Sequence, residues 1–167
     1  TVRDAVYAMS SVADVENVTF GINQPAAGFY RIKSMNGNDA EKKGKYWQVN
    51  ADATSMELNA TAHDFNSIVY IGTDKSILGY GTGLFVNNYY NPAAVGSEAR
   101  DWTITENSKI TGTYALYQRT DNGTVDGYCL SDWAGLTYGQ NDANAAWIFE
   151  EVTSLPVAVS SVGYATL

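Results

Sequence analysis

The chain has 167 residues, 17% of them charged and 13% aromatic, with a formal net charge of −8. That length supports one domain with a sizeable core, and the composition is that of a globular chain rather than a disordered one. An acidic balance without any basic run argues against a nucleic-acid backbone or an anionic membrane surface as partner. No apolar run reaches the ~18 residues that a membrane-spanning helix needs.

In chain order, Val2, Ala5, Val6, Met9, Val12 and Ala13 recur at spacings of three and four. That stripe predicts a short helix, or a remnant of whatever precedes the chain. Residues 18–22 allow a strand that Pro25 ends. Tyr30 and Ile32 then alternate with Arg31 and Lys33, the period of a half-buried strand. Further strands are expected at residues 46–49, 56–58 and 68–71. Only residues 72–75 separate Ile71 from Ile77, so either a strand is missing there or 68–71 serves two units. Residues 79–83 are glycine-rich, but no helix follows to hold a phosphate, and they read as a turn. Residues 87–100 read as a surface loop before a closing strand at 102–105. The last unit is the clearest, with strands at 114–117, 128–130, 136–138 and 146–152.

These strands form three degenerate copies of one unit at roughly 40 to 50 residues each, a repeat signal. Aligned on Gly83-Leu84 and Gly135-Leu136, Leu78 falls on Leu130 and Ile77 on Cys129. A looser copy runs through residues 45–50, 55–58 and 67–71. Many short strands without a helix inside the units predict an all-β closed structure, because closure removes exposed edges. Trp102 and Trp147, each opening a closing strand, are expected in its core.

Gly28-Phe29-Tyr30-Arg31-Ile32 with Gly44-Lys45-Tyr46, residues 67–71 with Leu78 to Phe85, and Leu155-Pro156-Val157 leading to residues 163–167 carry a resemblance. The pattern resembles a β-trefoil of the ricin B-type lectin-like kind, most closely the trefoil modules of large surface or secreted Bacteroidetes proteins. The resemblance implies an N-terminal extension over residues 1–27 and a β-trefoil over 28–153. Residues 154–167 would then be a linker and the severed strand of a following domain. It further implies a secreted or cell-surface bacterial protein whose partners are a glycan or other domains of the parent chain.

In that family each repeat holds a sugar pocket built from an aspartate, an aromatic platform and amides. By this resemblance Asp132 stands for the aspartate, Trp133 or Tyr138 for the platform, and Asn141 or Asn144 for the amide. The family's Gln-any-Trp glutamine is replaced by Ala145 in the third unit and Arg100 in the second, and its disulfides are absent. Independently of family, an aromatic face meets the C–H face of a pyranose while amides and carboxylates take its hydroxyls. Tyr89 and Tyr90, flanked by asparagines in the long loop, form a second candidate.

No catalytic, metal or cofactor site is expected. The single cysteine, Cys129, lies in an apolar strand and reads as a core residue, and the single histidine, His63, sits in a polar turn. Residues 121–127 lack the alternating ligands of a calcium loop. Glu150 and Glu151 are adjacent on a strand and face opposite ways, and a cleft with paired carboxylates is not expected. The expected function is non-catalytic carbohydrate binding; the alternative is a structural spacer or protein-interaction module without a sugar site.

Overall fold

The computed structural model describes residues 24–59, 65–87, 94–118, 129–133 and 135–155. The helix expected over residues 2–13, the strand at 18–22, His63, the pair Tyr89 and Tyr90, the loop at 121–127 and the stretch from 156 onward lie outside the described residues.

Twelve strands follow in chain order: β1 Gly28–Ser34, β2 Tyr46–Val49, β3 Met56–Asn59, β4 Ile68–Ile71, β5 Ile77–Gly79, β6 Phe85–Asn87, β7 Ala94–Gly96, β8 Thr103–Glu106, β9 Tyr114–Tyr117, β10 Cys129–Asp132, β11 Leu136–Gly139 and β12 Trp147–Glu151. One turn of 3-10 helix, Phe65–Ser67, precedes β4. Strand β1 shows the expected alternation, with Tyr30, Ile32 and Ser34 buried and Arg31 and Lys33 turned outward.

All of the pairing is antiparallel. β1 lies between β4 and β12, β4 pairs β5, β8 pairs β9, and β9 pairs β12. The Trp102 N–H donates to the Lys75 carbonyl at 3.0 Å, which brings the start of β8 against the start of β5. These six strands form a ring, and the hairpins β2–β3, β6–β7 and β10–β11 cap it. A six-stranded barrel with three capping hairpins is the β-trefoil.

The register identifies which residues correspond between units. Lys33, Leu78 and Tyr117 face Tyr46, Phe85 and Cys129 respectively, so Trp47, Val86 and Leu130 occupy one equivalent position. This corrects the alignment of Leu78 with Leu130: β5 corresponds to β1 and β9, and the counterpart of Leu130 is Val86. The shared Gly-Leu pairs misled because they close different turns. Nor is a strand missing after Ile71, since β4 pairs both β1 and β5. The loop expected over 87–100 is also partly strand, as β7 pairs β6 through Val86 and Val95. Ala94-Val95-Gly96 has no alternation of its own, so only its partner makes it a strand.

Where β12 meets β1, Trp147 faces Ser34; where β4 meets β5, Val69 faces Gly79. Where β8 meets β9, Thr103 faces Tyr117, the counterpart of Lys33 and Leu78, so the preceding Trp102 is the equivalent of Trp147 and Val69. Units two and three place the indole on the closing strand and a smaller residue, Val86 or Leu130, on the capping strand. Unit one inverts this, with Trp47 on the cap and Val69 on the closing strand. All three indoles are buried and in contact, with Trp47 centred 6.5 Å from Trp102 and 5.5 Å from Trp147. The inversion keeps the volume of each pair, which is what a close-packed core requires.

It does not keep the hydrogen bonds. The Trp102 and Trp147 indoles donate to the Val86 and Leu130 carbonyls at 3.2 and 2.9 Å. The Trp47 Nε1, equally buried, has no partner among the described residues. A phenylalanine at residue 102 or 147 should therefore cost at least about 1 kcal/mol more than one at residue 47. Urea unfolding of Trp47→Phe, Trp102→Phe and Trp147→Phe checks this, and equal losses would contradict it.

Candidate functional site

Strand β10 runs Cys129-Leu130-Ser131-Asp132 and is buried throughout. Alternation sends Leu130 and Asp132 to one side and Cys129 and Ser131 to the other. Cys129 packs with Ala115 and Ala145, and burial pushes its thiol up to about 12, as expected of a core residue. The turn after β10 ends at Gly135, whose φ of +94° suits glycine. Between them, Trp133 leaves the core altogether: it is 62% exposed.

The exposed indole is nevertheless fixed. Its Nε1–H donates to the Tyr138 carbonyl on β11 at 3.3 Å. It also lies over Gly139, where an added Cβ would come within 3.3 Å of Trp133 Cδ1 and 2.6 Å of Ser131 Cβ. Gly139 is thus the gap that lets the ring fold back across the hairpin. Beneath it the buried Ser131 hydroxyl has no hydrogen-bond partner among the described residues.

Trp133, Tyr138, Gly139, Gln140, Asp142 and Asn144 line a concavity of about 370 Å³. Its polar wall is a braced turn. The Asp142 carboxylate accepts the Asn144 backbone N–H at 2.9 Å, and the Ala145 N–H reaches the Asp142 carbonyl at 3.0 Å. The buried Asn107 amide clamps the same turn, donating to the Asp142 and Ala145 carbonyls at 2.9 Å each. Asn141 belongs to this scaffold: its side chain accepts the Ser108 N–H at 2.8 Å and donates to the Glu106 carbonyl at 3.3 Å.

The structure therefore brings Trp133, Tyr138 and Asn144 together and directs Asn141 elsewhere. Asp132 also stands apart. It lines a neighbouring concavity of about 280 Å³ with Lys42, Lys45, Met56, Glu57, Leu58, Gly135 and Leu136. Its carboxylate lies 3.4 Å from Lys42 Nζ, which also donates to the Asp132 carbonyl at 2.8 Å. The other carboxylate oxygen is buried without a partner among the described residues. Burial raises the Asp132 pKa and Lys42 partly offsets the rise. Glu57 lines this cleft as well, and each carboxylate has a partner: Glu57 accepts the Gln48 amide at 2.8 Å and Asp132 faces Lys42.

Sequence reasoning passed over Ser131, Gly139, Gln140, Asp142 and Lys42. Asp142 reads as a turn residue, Lys42 as a loop charge, and Gly139 as a strand end. Only the isolated glycine carried a usable signal, since glycine inside a strand marks a close approach.

No protein-family model matches the sequence, and no curated protein sequence matches it. Solved structures do. The ricin B-like lectin of Macrolepiota procera, in complex with lactose, superposes with a TM-score of 0.59 at 12% identity, over 78% of this chain and 100% of that one. The Rhizoctonia solani agglutinin gives 0.58 at 16% identity, over 78% of this chain and 99% of that one. An endo-β-galactosidase from Clostridium perfringens that releases GlcNAcα1-4Gal gives 0.56 at 12% identity, matching 74% of this chain but 32% of its own. At such identities these likenesses establish the β-trefoil architecture.

The Lys42–Asp132 pair beside Trp133 makes a testable statement about pH. Lys42→Met leaves a buried carboxylate unpaired and should cost about 2–3 kcal/mol at pH 7. A carboxyl whose folded pKa lies above its unfolded value destabilises the fold above that pKa, so the loss should shrink as pH falls through it. The Asp132 side chain also accepts the Gly135 backbone N–H; Asp132→Asn keeps that acceptor and should cost under about 1 kcal/mol. Thermal unfolding of both variants between pH 4 and 7 measures this, and a Lys42→Met loss that grows on acidification would contradict it.

Proposed function

We propose that this protein is a non-catalytic carbohydrate-binding module whose site is the concavity under Trp133. The observation that carries the reading is an indole 62% exposed yet fixed by its own hydrogen bond and by the gap at Gly139. An unanchored aromatic would pay entropy to order itself on a ligand; this one is ordered beforehand. A pyranose stacks its C–H face on the ring, while the Gln140 and Asn144 amides and the Asp142 carboxylate take its hydroxyls. Lactose in the similarly folded Macrolepiota procera lectin supports the choice of ligand class.

The binding unit is taken as residues 28–153, within a larger secreted or cell-surface protein. In support, the trefoil matches 32% of the Clostridium perfringens enzyme chain and 18% of a mosquitocidal holotoxin chain. The Bacteroidetes likeness remains one of sequence pattern. The reading without a sugar site, a spacer or protein-interaction module, has no comparable feature behind it.

A glycan array with the wild-type protein and Trp133→Ala tests the proposal. Truncating an exposed ring should leave stability within about 0.5 kcal/mol. Binding should nonetheless fall by about tenfold or more, the scale of one lost aromatic contact. Gly139→Ala, which drives a methyl into Ser131 and Trp133, should lower both binding and stability. A folded protein that binds no glycan, or that binds equally well without Trp133, would refute the assignment.

A further inference from the structure

The charge of the concavity selects among sugars, an inference that rests on the reading of this site as a glycan pocket. The six lining residues include no lysine, arginine or histidine, and Asp142 is the one acidic residue among them. That carboxylate is held in place rather than free to swing away. One oxygen accepts the Asn144 backbone N–H at 2.9 Å, and the Asp142 N–H bonds to the Gln140 carbonyl at 2.9 Å. Its carbonyl is in turn clamped by the Asn107 amide at 2.9 Å.

We infer that the site takes neutral or amino sugars and rejects acidic ones, uronic acids, sialic acids and sulfated sugars alike, with Asp142 as the discriminating residue. A neutral pyranose can donate a hydroxyl hydrogen bond to the carboxylate, and an amino sugar can donate one from its ammonium. A second carboxylate or a sulfate in the same cavity offers no donor and meets a fixed negative charge. Among the described residues the lining contains no cation to compensate, and the molecule as a whole carries a net charge of −8. Lys42 and Lys45, the cations of the neighbouring cleft, lie on the Asp132 side and do not line this one. Two like charges about 5 Å apart at a wet protein surface disfavour the acidic ligand by roughly tenfold at low ionic strength, and less as salt screens them.

The test uses paired probes that differ only at one carbon: the methyl glycosides of galactose and glucose against those of galacturonate and glucuronate, with lactose and its sialylated form alongside. Affinities are measured by titration calorimetry for the wild type and Asp142→Asn, at low and at high salt. The asparagine is isosteric and keeps an acceptor for the Asn144 N–H. The expected result is binding of at least one neutral member, about tenfold weaker binding of its acidic partner, and a gap that narrows in Asp142→Asn and with salt. Equal or tighter binding of the acidic partner by the wild type overturns the inference while leaving the glycan pocket intact. A neutral preference that Asp142→Asn does not change removes Asp142 from the role. Failure of every probe, with the protein shown to be folded, overturns the pocket itself and this inference with it.

Discussion

Everything in this fold depends on filling the axis where the barrel and its three capping hairpins converge. Three indoles do it, and their contacts tie the units into one core. No single unit could bury its apolar face alone, which is why strands of three to five residues suffice in most positions. Because a large ring and a small aliphatic residue share the position in every unit, the fold tolerates their exchange in unit one. The cost is an indole nitrogen with no acceptor among the described residues.

The site follows from that core through a single strand. Leu130 lies under the Trp147 indole and accepts its hydrogen bond, which fixes β10 along its length. Alternation then obliges Asp132 to point inward and Ser131 to point toward Gly139. With the strand committed, the turn must push Trp133 into solvent, and the absence of a side chain at Gly139 lets the ring settle back on the hairpin. Rigidity in the centre becomes a preorganised surface at the edge. The proposed function is placed in that surface and not in the architecture, because one architecture can serve unrelated activities.

The strands were largely readable because alternation and turn residues are local signals: β1, β2, β4, β9 and β12 lie where Tyr30, Trp47, Ile68, Leu116 and Trp147 suggest. What failed was correspondence between units. Matching Gly-Leu pairs at Gly83 and Gly135 pointed to an equivalence that only hydrogen-bond register could refute. β7 was invisible for a related reason, as its strand character belongs to its pairing with β6. Residue type pointed to Trp133, Tyr138 and Asn144, which line one concavity, but could not say that Asp132 faces Lys42 or that Asn141 is spent on Ser108. Those are facts about direction, and direction depends on which face of β10 and which turn after β11 the core has already claimed. The clamp by Asn107 spans units and has no local signature at all.

The most direct test of the account is nuclear magnetic resonance of the tryptophan side chains during titration with a bound glycan. The chain has four tryptophans, three of them in the core and one on the surface. The account predicts that the indole N–H resonance of Trp133 shifts with the ligand while those of Trp47, Trp102 and Trp147 stay in place. A saturable titration that leaves the Trp133 signal unmoved would show that the sugar binds elsewhere, and would contradict it.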